Sequence, residues 1–123
     1  MARKQLGVPA AADTDIPTFV DLGRVAANAQ STSYTLVLAD KGKVVETTSA
    51  TAVTVTVPPN ASAAFPVGTL LELHQYAAGQ ISVAAGAGVT LRTPSSLTTR
   101  AQYSSLSLRK RGVDEWIVGG DLT

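Results

Sequence analysis

The sequence predicts an all-β fold: a small antiparallel β-sandwich or barrel of about eight short strands with an extended N-terminal arm. Two observations carry this. Val53-Thr-Val-Thr-Val57 alternates with the period of two expected of a half-buried strand, and all five residues are β-branched, which suits a pleated surface and weakens a helix. Apolar-alternating runs then recur at intervals of roughly ten residues, each closed by Gly, Pro, Asn, Asp or Ser.

Residues 1–30 read as the arm. Pro9, Ala10 to Ala12, Asp13, Asp15 and Pro17 form a proline-punctuated stretch without sustained period, and Phe19, Val20 and Leu22 add a short apolar patch before Gly23. A short helix over residues 24–30 is conceivable, but Asn28 and the following Ser-Thr-Ser oppose it. Such an arm either lies on a partner or on the β domain, or stays without fixed structure.

The β domain spans residues 31–123. Its first strand is expected at 34–38, returning through a hairpin loop at Asp40-Lys-Gly42 into 43–47. Next come 52–57, ended by Pro58-Pro59, and 69–76, read together as the central antiparallel pair. Strands at 80–84 and 89–92 follow the turns at Ala78-Gly79 and Gly86-Ala-Gly88. After a loop from Pro94, 102–108 and 115–118 are joined by a turn at Arg111-Gly112.

Much of the apolar content is alanine and valine and aromatics are 5% of residues, so a lone copy has a thin core and association is expected. Ten Lys and Arg stand against nine Asp and Glu, so no basic stripe points to nucleic acid. Absence of cysteine excludes thiolate chemistry and disulfides. No run reaches the roughly 18 apolar residues needed to span a bilayer, so a soluble chain is expected.

No motif carries catalysis, a cofactor or a metal. His74, the single histidine, shares a strand face with Glu72 but lacks companion ligands. No serine sits in a Gly-x-Ser-x-Gly elbow, and Gly79, Gly86 and Gly88 lie between strands rather than opening a helix. Arg109-Lys-Arg111 is the one basic cluster, read as solvated at a hairpin end or as a dock for an acidic protein surface. Trp116, with Tyr103, is expected to anchor the core.

Three blocks together resemble a known family. They are residues 34–46, then 53–60 through Phe65-Pro-Val-Gly68 and Gln75-Tyr-Ala-Ala-Gly-Gln80, then 100–109 with Glu115-Trp116 and Gly120-Asp-Leu122. They look like a β module recurrent in virion proteins of tailed bacteriophages, both tail-fibre-type proteins and small head-attached proteins. Lys4-Gln5-Leu6-Gly7 and Asp13-Thr-Asp15 are similar to segments preceding such modules. The resemblance implies a non-enzymatic structural role, often as a homotrimer. The short upstream segment suits a capsid decoration protein, bound outside the head to the major capsid protein through arm residues Ile16, Pro17, Phe19, Val20 and Leu22. The alternative is a short tail-fibre or baseplate component that binds a host-surface receptor.

Overall fold

The computed structural model describes residues 24–123. They form nine strands, β1 (Ala27–Gln30), β2 (Tyr34–Thr35), β3 (Val44–Thr47), β4 (Val53–Val57), β5 (Leu70–Gln75), β6 (Ile81–Ala85), β7 (Thr90–Arg92), β8 (Ser105–Gly112) and β9 (Glu115–Gly120), with one 3-10 turn at Leu38–Asp40. The all-β expectation holds, in two sheets. A six-stranded sheet has the order β1-β3-β5-β8-β9-β7, and a three-stranded sheet has the order β2-β4-β6.

The antiparallel expectation is overturned. From β1 to β6 the chain alternates between the sheets, and every neighbour it meets within a sheet over that stretch runs parallel. The path is therefore a coil: β1 and β2 make the first turn, β3 and β4 the second, β5 and β6 the third. Residues 40–42 do turn the chain, with Gly42 at φ 73 and its N–H given to Leu70 O at 3.1 Å, but they pass it from one sheet to the other instead of folding a hairpin. Likewise β4 and β5, expected to pair, lie in different sheets. Alternation of side chains is identical in parallel and antiparallel strands, so the pattern alone carries no direction.

The antiparallel strand pairs are the two made by β8, with β5 and with β9, while β7 runs parallel to β9. The turn after Arg111 and Gly112 makes a true hairpin of β8 and β9, with an irregularity between Lys110 and Gly112. The hairpin sets β8 against β5, with Leu71 opposite Leu108 and Leu73 opposite Leu106, and β9 carries β7 on its far side.

Residues 27–30 pair in parallel with β3 instead of forming a helix, so the last residues assigned to the arm belong to the sheet. The first expected strand shortens to Tyr34–Thr35, because the chain turns at Leu38–Asp40.

The inward faces of the two sheets share one cluster. Val53, Val55 and Val57 of β4 and Ile81 and Val83 of β6 meet Val45, Leu71, Leu73, Leu106, Leu108, Trp116 and Val118 of the large sheet. Trp116 anchors it as expected, with the Phe65 ring edge-on at 5.5 Å. Tyr103, expected beside it, is 64% exposed.

A polar link joins the sheets at one corner. The buried Thr99 hydroxyl donates to Gln75 Oε1 and accepts the Ile81 N–H at 2.9 Å, while Gln75 Nε2 donates to Ala77 O and Ala78 O. Buried amide and hydroxyl groups need such partners, since an unmet one costs about 1–3 kcal/mol. At the neighbouring turn the Gly79 N–H donates to Ser49 O at 2.9 Å, and a Cβ there would collide with the backbone oxygens of Ser49 and Thr51. Gly79→Ala is expected to lower stability by about 2–3 kcal/mol, because backbone cannot rotate aside as a side chain can. Comparing urea midpoints of the two proteins checks this; an unchanged midpoint would contradict the crowding.

Candidate functional site

The coil is closed on one side and open on the other. Residues 97–99 cover the outer edge of β6, through Val83 N–H to Leu97 O at 2.8 Å and Thr99 N–H to Ile81 O at 3.0 Å. Among the described residues the outer edges of β1 and β2 have no strand partner. These two edges belong to the same first turn, so they present one ladder of each sheet side by side.

A half-buried network centred on the buried Asp40 holds that turn in shape. Asp40, 1% exposed, accepts Asn28 Nδ2 from β1 at 2.8 Å, the Tyr34 hydroxyl from β2 at 2.8 Å and the Val37 N–H at 2.9 Å. Asn28 Nδ2 also reaches the Tyr34 oxygen at 3.1 Å. Burial, then the hydrogen bond and negative charge of Asp40, raise the Tyr34 hydroxyl above its ordinary pKa. The three side chains fix β1 and β2 to each other although they lie in different sheets.

Beside this turn the chain leaves the small sheet and enters the large one, and the corner is apolar at its surface. Val25, Val37, Leu38 and Leu70 are all exposed there. Two shallow depressions flank it. One of about 320 Å³ is lined by Val37, Leu38, Pro58 and Ala63 among others; one of about 160 Å³ is lined by Val25, Val44 and Leu70 with Lys43 and Glu72. Neither has the depth or converging polar groups of a small-molecule site.

The outer face of the six-stranded sheet holds a second grouping. His74 stands opposite Glu46 in the β3–β5 register, and its Nδ1 is 2.8 Å from Ser105 Oγ on β8. The ring of Tyr76 lies 6.3 Å from His74 and 5.9 Å from Tyr103, the tyrosines edge to face. Both tyrosines are more than half exposed. Tyr103 has φ 73, the one positive value at a non-glycine among the described residues, and its N–H donates to Gln75 O at 2.6 Å. A left-handed conformation costs a non-glycine residue roughly 1–2 kcal/mol. Nothing in the sequence pattern joined residues 76 and 103; the contact follows from the β5–β8 register.

The strand divides the basic cluster: Arg109 and Arg111 are exposed and Lys110 is buried. Arg109 is exposed above Leu70, its register partner. Lys110 points the other way into the core, 2% exposed, its Nζ donating to Asn60 Oδ1 at 2.6 Å and Phe65 O at 2.7 Å. Arg111 is exposed and paired with Glu115 at 2.9 Å. The signal was present in the sequence: Lys110 continues the inward phase of Leu106 and Leu108. The arm residues Ile16, Pro17, Phe19, Val20 and Leu22 lie outside the described residues.

Three ion pairs lie at the surface among the described residues, Arg92 and Arg111 with Glu115 and Arg100 with Asp121. Arg100, then the Ser104 hydroxyl, hold Asp121 below its ordinary 3.8, and Arg92 and Arg111 hold Glu115 below its ordinary 4.5. A depressed carboxylate stabilises the fold above its unfolded pKa, and that contribution is lost as pH falls through the folded value. Stability is therefore expected to decline modestly over about pH 5 to 3, less so in high salt. Asp121→Asn combined with Glu115→Gln is expected to flatten that part of the profile, read as urea midpoint against pH. A profile equally steep in the double variant would contradict it.

Among the described residues no group of three His, Asp or Glu side chains could hold a metal ion, and no helix is long and apolar enough to cross a membrane. No family model, curated protein or solved structure matches the chain.

Proposed function

We propose that this protein is a structural component of a tailed-bacteriophage virion, a decoration protein that binds the outside of the head as a homotrimer and stabilises it without catalysis. The observation that supports this best is the first turn of the coil: two strand edges without a partner among the described residues, beside an apolar corner. Unpaired N–H and C=O groups next to exposed valine and leucine suit a protein partner, because strand addition supplies hydrogen bonds and the corner supplies burial. The partners are other copies of the chain and the major capsid protein. Binding only the assembled shell, many copies favour it by mass action. Nucleic acid and membrane play no part in this reading, and it requires no cofactor.

The arm carries the tether in this proposal. Removing residues 1–22 is expected to leave a folded domain that no longer sediments with purified DNA-free capsids. Equal co-sedimentation of the truncated and full chains would exclude the tether.

One observation favours a second reading, a tail-fibre or baseplate component that contacts the host surface. Tyr76 and Tyr103 form an exposed aromatic corner beside His74 and Glu46, and exposed aromatics with polar neighbours suit recognition. Tyr76→Ala with Tyr103→Ala separates the two. Under the head reading the variant still binds capsids; under the tail reading it loses attachment to host cells.

A further inference from the structure

Among the described residues Lys110 is the one buried cation and has no carboxylate partner: the ion pairs there involve Arg92, Arg100 and Arg111 instead. Its amine meets neutral oxygens alone. Nζ sits 2.6 Å from the Asn60 side-chain oxygen and is held there by a second bond to Phe65 O at 2.7 Å. Trp116 is its register partner on β9, and the Phe65 ring meets Trp116 edge-on, so the lysine stem runs beside an aromatic wall. The Asn60 backbone N–H donates to Asp114 Oδ1 at 2.8 Å, which fixes the loop that carries the amide.

We propose that Lys110 and Asn60 form an intramolecular isopeptide bond. The lysine nitrogen attacks Asn60 Cγ, the new N–C bond forms, and the Cγ–Nδ2 bond breaks. Starting from the ammonium, two lysine protons leave with the departing nitrogen, so that one ammonium ion is released and the charge balances without oxidant or cofactor. The ammonium first gives a proton to solvent at the half-buried Asn60 side, which frees the lone pair for attack, and the departing nitrogen takes up its protons from the same solvent. Holding amine and amide in hydrogen-bond contact replaces a bimolecular encounter by an internal one, which can supply a large part of the barrier. The product removes a cation from the core and ties the loop after β4 to β8. Asn60 is only half-buried, which gives the ammonium a way out. The inference is independent of what the protein attaches to.

The test is the intact mass of the purified full-length chain after folding and incubation for several days. The expected result is a mass one ammonia (about 17 Da) below that of the sequence, with a branched peptide joining the segments that contain Asn60 and Lys110 after digestion. Asn60→Ala and Lys110→Arg are expected at full mass. A wild-type chain at full sequence mass overturns the proposal, whether or not the variants fold. So does the same deficit with only linear peptides, which would place a succinimide at Asn60.

Discussion

Trp116→Ala is expected to be among the most destabilising single changes in the described domain, at about 3–5 kcal/mol. Trp116 is 1% exposed, stands on β9 between β8 and the edge strand β7, and meets the Phe65 ring edge-on with the centroids 5.5 Å apart. The rest of the core is mostly valine and leucine, so no neighbour is long enough to fill the space an indole leaves. Folded domains commonly hold only about 5–15 kcal/mol in total, so this one change removes a large share. The measurement is the urea midpoint at unchanged slope, beside Arg111→Ala as a surface control expected within about 0.5 kcal/mol. A Trp116 variant no less stable than that control would mean that the two sheets do not meet around the indole.

Lys110→Ala is expected to cost about 3 kcal/mol, for a different reason. In freshly folded protein, before the proposed Lys110–Asn60 bond forms, the substitution leaves Asn60 Oδ1 and Phe65 O without the donor they share, and it removes the stem that lies beside Trp116. Lys110→Met separates the two contributions, since it keeps most of the stem and loses the donor. Its loss is expected to fall between wild type and alanine, at about 1–2 kcal/mol. If methionine matched wild type, the hydrogen bonds to the loop would carry no net stability and packing alone would account for the site. Arg109→Ala, one position away on the opposite face, is expected to be nearly silent.

That contrast between neighbours also shows how the candidate site was and was not legible. The run Arg109-Lys-Arg111 reads as one basic patch along the chain, yet a pleated strand sends adjacent side chains to opposite faces. Phase from Leu106 and Leu108 already placed Lys110 inside. The pairing of Tyr76 with Tyr103 and the joining of Asn28, Tyr34 and Asp40 had no such local sign, because each depends on which strands lie side by side.

The sequence by itself determined where most strands run and which of their side chains face inward, since both follow from local alternation, β-branched residues and turn chemistry. Val53-Thr-Val-Thr-Val57 and the turn after Arg111 needed nothing more. Only the tertiary structure decided partners and direction: that β4 lies beside β6 and not β5, that the first six strands coil in parallel through two sheets, and that two edges of the first turn have no partner among the described residues. The physical reason is that alternation records which side of a strand is buried. The choice of neighbour is made by the inter-strand hydrogen bonds and by the shared core of the two sheets, which no stretch of chain contains alone.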